Sequence, residues 1–327
     1  MKRREFITLL GSSAVAWPLA ARAQHPATPV IGFLSSLAPA DVNFVLPAFR
    51  DGLSSAGFAE ARNITIEYRW AEGDYQRLPQ LAADLVRRNV TVVAAISGTP
   101  AALAAKAATT TIPVVFAIGR DPIQAGLVSN LSRPAANVTG TSFYSAPVVT
   151  KRLDLARELI GRDAIIAELV NPNNPPSVAE GRMVEEAAAA VGQPLQILHA
   201  ATERQIDDVF ATVVQQRIGA LLVSPDPFFF SQRIKLVILM ARHALPTIFS
   251  DREQVEAGGL MSYGASRHDA YVQAGNYVGR IVKGEKPSEL PVVLPTKFHL
   301  LINLNTARSL RIDIPATVLA RADEVIE

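Results

Sequence analysis

Two stretches decide the fold: Ile96-Ser97-Gly98-Thr99-Pro100 and Val223-Ser224-Pro225-Asp226-Pro227. Each closes an apolar, β-rich run. Each then places a serine, one further residue, a helix-capping residue and a proline suited to the first position of a helix. A strand handed to a helix through so short a link is half of a βαβ unit. Two such joints in one chain point to one plan used twice.

The elements around each joint agree with that plan. The first half shows strand-like runs at Val30 to Leu34, Ile64 to Arg69, Val90 to Ile96, Val114 to Ala117 and Val138 to Thr141. The second repeats them at Ile165 to Val170, Leu195 to His199, Ala220 to Val223, Thr247 to Phe249 and Leu260 to Ser262. These runs are apolar throughout rather than alternating, as strands buried on both faces of a parallel sheet must be. Helical segments fill the gaps, for example Phe44 to Ala56 stopped by Gly57 and Val178 to Val191 stopped by Gly192. The fourth strands end alike, at Arg120-Asp121-Pro122 and Ser250-Asp251-Arg252, and Ala-Gly follows each at 125–126 and 257–258. The fold class is therefore α/β, with two doubly wound parallel-sheet lobes. A ligand of such sheets sits beyond the carboxyl ends of the strands, in the cleft between the lobes. A late helix, Arg267 to Lys283, and a late strand, Phe298 to Asn303, must return to lobes already built. The connections near 142–146, 263–266 and 288–295 hold Ser145, Pro147, Gly264, Pro287 and Pro291, residues suited to turns. Lobe 1 is expected over 28–142 plus 265–291, and lobe 2 over 143–264 plus 292–327.

The N-terminus carries a different message. Lys2-Arg3-Arg4-Glu5-Phe6-Ile7 precedes a weakly apolar stretch to Ala20 and the small-x-small run Ala21-Arg22-Ala23. That order is an export signal, and the arginine pair with a diluted apolar core resembles the twin-arginine type. Residues 1–23 are expected to be removed near Ala23/Gln24. Phe6 to Ala20 is too short for a membrane span and Pro18 interrupts it. Removal leaves 28 basic against 29 acidic side chains. The basic character of the whole chain then gives no argument for nucleic acid or for stable membrane insertion. The 327 residues contain no cysteine, which excludes disulfides, thiolate metal sites, cysteine nucleophiles and a lipoprotein anchor. The periplasm is the expected compartment.

The combined pattern resembles the ABC transporter substrate-binding family of the type I periplasmic binding fold, whose members include tryptophan- and tyrosine-binding proteins. The resemblance rests on Pro29 to Leu34, Ile66 to Ala71, Asp121-Pro122 through Val128, Asn137 to Gly140 and Met261 to Gly264. It implies three hinge crossings, closure around a small molecule, and delivery to the membrane permease of an ABC importer. No cofactor and no metal are expected, and the protein is expected to be a monomer. A sensor subunit that shows its closed form to a membrane receptor uses the same cleft and is the alternative. A periplasmic hydrolase or lyase is the remote one. No G-x-S-x-G, P-loop, G-x-G-x-x-G or H-E-x-x-H motif supports it, and the five histidines are dispersed.

Candidate ligand contacts follow from the strand ends. Thr99 should cap a helix whose first turn offers free N–H groups to an anion, with Ser97 and Gly98 completing the cradle. Asp226 and Asp251 stand in the other lobe, where carboxylates suit an ammonium group. Ser35 and Ser36 follow the first strand, and Asn171, Asn173 and Asn174 follow its counterpart. Phe143 and Tyr144 on the first hinge, Phe228 after Asp226, and Tyr263 on the second hinge are aromatic candidates. Arg120 and Asp121 are expected at the cleft, Asp121 with the look of a cap. The substrate suggested by this set is an amino acid or a related zwitterion.

Overall fold

The computed structural model describes residues 28–134, 136–144 and 146–327; the expected export signal and Ser145 lie outside them. The first sheet is formed by β1 (Val30–Ser35), β2 (Thr65–Trp70), β3 (Val92–Ile96), β4 (Val114–Ile118) and β5 (Val138–Ser142). Its order is β2-β1-β3-β4-β5, every pairing parallel. Helices α1 (Val45–Ser55), α2 (Leu78–Arg87) and α3 (Thr99–Ala108) connect these strands. The apolar runs read from the sequence are buried as a parallel sheet requires: all of β3, β4 and β5 is inaccessible.

After α4 (Ala146–Ile160) the second lobe repeats the scheme. It contains β6 (Ile166–Val170), α5 (Pro175–Ala190), β7 (Leu195–His199), α6 (Glu203–Gln215), β8 (Ala220–Val223) and α7 (Pro227–Ser231). It continues with α8 (Arg233–Arg242), β9 (Thr247–Phe249), α9 (Arg252–Glu256) and β10 (Met261–Ala265). The chain then returns to lobe 1 as α10 (Arg267–Val282), which packs along α1. Gly52 and Gly275 lie where these two backbones touch, and a Cβ on either would strike the other helix.

The last segment differs from a plain parallel sheet. β11 (Phe298–Asn303) joins β10 antiparallel, so the second sheet reads β12-β11-β10-β9-β8-β6-β7. Helices α11 (Leu304–Leu310) and α12 (Ala316–Leu319) lead to β12 (Glu324–Ile326), an edge strand parallel to β11. Val292 is still part of the lobe-1 core, and Val293 bridges Thr141 of β5. The third connection therefore leaves lobe 1 after Val293. Each sheet is covered on both faces, giving two apolar clusters per lobe. The carboxyl ends of β1, β3 and β4 face those of β6, β8 and β9, and the cleft lies between.

Candidate functional site

The cleft begins at the joint between β3 and α3. Ser97 adopts φ +65° and Gly98 φ +149°, so the chain leaves β3 by a conformation that glycine tolerates. A Cβ at Gly98 would sit 2.6 Å from Ser36 Oγ and 3.0 Å from Pro227 Cγ of the other lobe. Gly98 thus lets the lobes approach. It is Gly98, not Thr99, that occupies the N-cap position; Thr99 is the first helical residue of α3 and makes no cap bond. The reason is the turn at Ser97-Gly98, which starts the helix one residue early. The first turn of α3 still presents its amide end to the cleft, with Thr99 in the wall.

A cavity of about 480 Å³, space open to solvent included, lies between the lobes. Lobe 1 contributes Ser97, Gly98, Thr99 and Arg120, and lobe 2 contributes Asn174, Glu180, Asp226, Phe230 and Asp251. Phe143 and Arg267 form the hinge-side wall. An adjoining chamber shares Phe143, Glu180 and Asp251 and adds Tyr144, Val148, Val149 and Arg152. The chamber thus sets the apolar Phe143, Val148 and Val149 beside the charged Arg152, Glu180 and Asp251.

The charges are not equivalent. Arg267, at the start of α10, pairs with Asp251 at 3.2 Å and donates to Tyr271 Oη at 2.8 Å. Its guanidinium lies 4.5 to 5.7 Å from the ring centroids of Phe230, Phe44, Phe143 and Tyr271, an aromatic box filled by the protein itself. Burial opposes its charge, yet Asp251, Tyr271 and Glu253 outweigh that and hold its pKa above the ordinary value. Arg152 is paired with Glu180 and donates to Val223 O at 3.1 Å. Behind this pair lies Glu168, whose carboxyl is pushed up to about 8 by burial, with Arg152 lowering it and Glu180 raising it. Arg120 is the exception. It is 6% exposed, its guanidinium lies 5.6 Å over the Tyr144 ring, and Nη1 has no hydrogen-bond partner. Among the described residues no carboxylate pairs with it.

Asp226 is held by four donors. Tyr75 Oη from lobe 1 reaches Oδ1 at 2.9 Å, Asn171 Nδ2 at 3.0 Å and the Phe228 amide at 2.8 Å, while Asn174 Nδ2 reaches Oδ2 at 2.6 Å. Burial still raises the Asp226 pKa above the ordinary carboxylate range against these bonds. Tyr75, buried beside that carboxylate, is driven well up and stays a donor. A second link across the cleft joins Arg233 of lobe 2 to Asp41 of lobe 1 at 2.9 Å.

The model of the family described as ABC transporter substrate binding protein matches residues 42–326. The chain belongs to this family. A tyrosine-binding protein of Clostridioides difficile (strain R20291) is 26% identical over 262 residues, covering 80% of this chain and 75% of that protein. Among solved structures, a conserved domain protein from Vibrio cholerae is 28% identical at a TM-score of 0.84, covering 91% of this chain and 99% of that one. An ABC domain from Streptococcus pneumoniae in complex with L-Trp is 28% identical at a TM-score of 0.82, covering 92% of this chain and 100% of that one. The two lobes are those of the type I periplasmic binding fold.

In this ABC transporter substrate-binding protein, the expected residues divide by position. Ser97, Gly98, Thr99, Asp226 and Asp251 line the central cavity, and Tyr144 lines the adjoining chamber. Asn171, Asn173 and Phe228 lie instead around an outer chamber with Tyr75. Ser35 accepts from the Leu37 amide at 3.1 Å, and Asp121 accepts from the Ile123 and Gln124 amides, so both hold turns. Ser36 is buried beneath Gly98, and Tyr263 packs on Phe298. Glu180, Phe230 and Arg267 complete the cavity without having been singled out. Glu180 had a signal: it is an acid on the buried stripe of α5 with Ser177, Gly181, Val184 and Ala188.

Proposed function

We propose that this protein is the exported solute-binding component of an ABC importer and that it captures an amino acid with a large apolar side chain. The observation that carries the reading is Arg120, a buried cation without a counter-charge in the wall of the cleft. Such a group is costly unless an anion completes it. A ligand carboxylate set between Arg120 and the amide end of α3 supplies one. Across the cavity, the acids of lobe 2 favour an ammonium group, and Phe143, Tyr144, Val148 and Val149 suit an apolar side chain. The names of two relatives, one tyrosine-binding and one solved with L-Trp, favour an aromatic amino acid. On this reading the protein works in the periplasm after loss of residues 1–23 and hands its solute to a membrane permease.

A melting panel tests the reading. Ligand at about 100 times its Kd adds about 2.7 kcal/mol of stability, a shift of a few degrees for a chain of this size. L-tryptophan or L-tyrosine should produce it. If sugars or nucleosides raise the melt while no amino acid does, the amino-acid assignment is wrong.

A further inference from the structure

Asn174 and Asp226 face each other in the lobe-2 wall, and their bonding leaves one atom spare. Asn174 Nδ2 lies 2.6 Å from Asp226 Oδ2. A carboxylate accepts and does not donate, so the amide must turn its NH2 toward Asp226 and its oxygen away. Asp226 cannot swing to relax this arrangement, because Oδ1 already holds Tyr75, Asn171 and the Phe228 amide. Asn174 Oδ1 is buried without any partner, in a residue that is 2% exposed and lines the ligand cavity.

The sequence explains why that oxygen is free. Asn174 is the N-cap of α5, where an asparagine oxygen ordinarily accepts from the amides of the first turn. The first two helical residues, Pro175 and Pro176, carry no N–H, which leaves the Ser177 amide as the one first-turn donor in reach, and no cap bond forms to it. A buried acceptor without a donor is unfavourable. One lying beside a carboxylate is best completed by a donor that is itself positively charged.

We propose that Asn174 Oδ1 receives the ammonium group of the ligand, and that Asp226 is a positioning residue that fixes the amide in the receiving orientation. This rests on the amino-acid reading above and assigns the amine contact to a residue other than the acid that the sequence suggested. The negative charge of Asp226 acts through the amide instead of by direct contact.

Calorimetric titration with L-tryptophan and with 3-indolepropionate, which lacks only the amine, tests the assignment, with L-tyrosine and 3-(4-hydroxyphenyl)propionate as a second pair. The wild type should prefer the amino acid at least 100-fold. Asn174→Ala should reduce that preference at least tenfold, and Asn174→Ser, which restores an oxygen, should fall between. The serine variant also serves if the alanine variant does not fold. Asp226→Asn should reduce the preference too, and adding it to Asn174→Ala should reduce it no further. An unchanged preference in the Asn174 variants overturns the assignment while leaving the amino-acid reading intact. A further loss in the double variant means that Asp226 touches the amine, and it also overturns the assignment. A wild type that binds neither amino acid, or shows no preference for the amine, removes the reading beneath it.

Discussion

Replacing Arg120 by methionine should separate affinity from stability. Arg120 as a residue is 6% exposed, its guanidinium rests on the Tyr144 ring, and its buried Nη1 has no acceptor, so water screens the charge little. A hydrogen bond to a charged group contributes about 1.5–3 kcal/mol, and truncating one member of a buried charged pair costs about 2–5 kcal/mol. Loss of the ligand carboxylate's partner should therefore weaken binding by about 2–4 kcal/mol. At 1.4 kcal/mol per decade this is roughly a 30- to 700-fold rise in Kd. The unliganded protein should respond in the opposite sense. Methionine keeps an unbranched apolar stem in place of the arginine's and removes a buried charge that nothing compensates, so the ligand-free melt should hold or rise. Titration calorimetry with L-tryptophan and L-tyrosine gives the affinities, and differential scanning fluorimetry gives both melts. A Kd within threefold of wild type would refute the carboxylate role. A ligand-free melt lowered by several degrees would show that Arg120 is satisfied within the protein.

Three further outcomes are expected. Tyr75→Phe removes the donor to Asp226 Oδ1 that crosses the cleft at 2.9 Å, which should raise Kd about fivefold for a bond worth about 1 kcal/mol; titration calorimetry that shows no change would mean the link is idle. The Glu168 carboxyl is raised from 4.5 to about 8, so the folded state binds a proton that the unfolded state releases at lower pH. Stability must then fall as pH rises between about 4.5 and 8, and Glu168→Gln should remove that part of the slope in urea melts at pH 6 and pH 9; parallel slopes in the two proteins would contradict it. Arg3→Lys with Arg4→Lys should abolish export of a fused reporter, and survival of export would point to the Sec route.

The sequence made the strands legible because parallel strands buried on both faces leave continuous apolar runs, and β3 and β4 lie wholly in the core. It could not reveal the direction of β11, since an apolar run at Phe298 to Asn303 reads the same whether it runs parallel or antiparallel to β10. The joint at Ser97 to Pro100 was located correctly but capped by a different residue, because the positive φ of Ser97 belongs to backbone geometry. Among Phe228, Phe229 and Phe230, in the single turn of α7, spacing alone offered no choice, and it is Phe230 that reaches the cavity. Asp226 is read from the sequence as a helix cap and does cap α7 through the Phe228 amide, whereas its bond to Tyr75 of lobe 1, 151 residues away in the chain, leaves no local signal.

Arg120 also bears on which molecules shut. Tyr75 and Asp226, or Asp41 and Arg233, can join the lobes whether or not the cleft is filled. An empty protein that closes shuts a lone cation away from water, whereas a loaded one closes over a neutralised pair. The two outcomes differ in free energy at a single side chain, and that difference moves the closed population toward occupied molecules. A permease that recognised only the closed form would then rarely be visited by an empty carrier, and the check against a wasted transport cycle would reside in the binding protein.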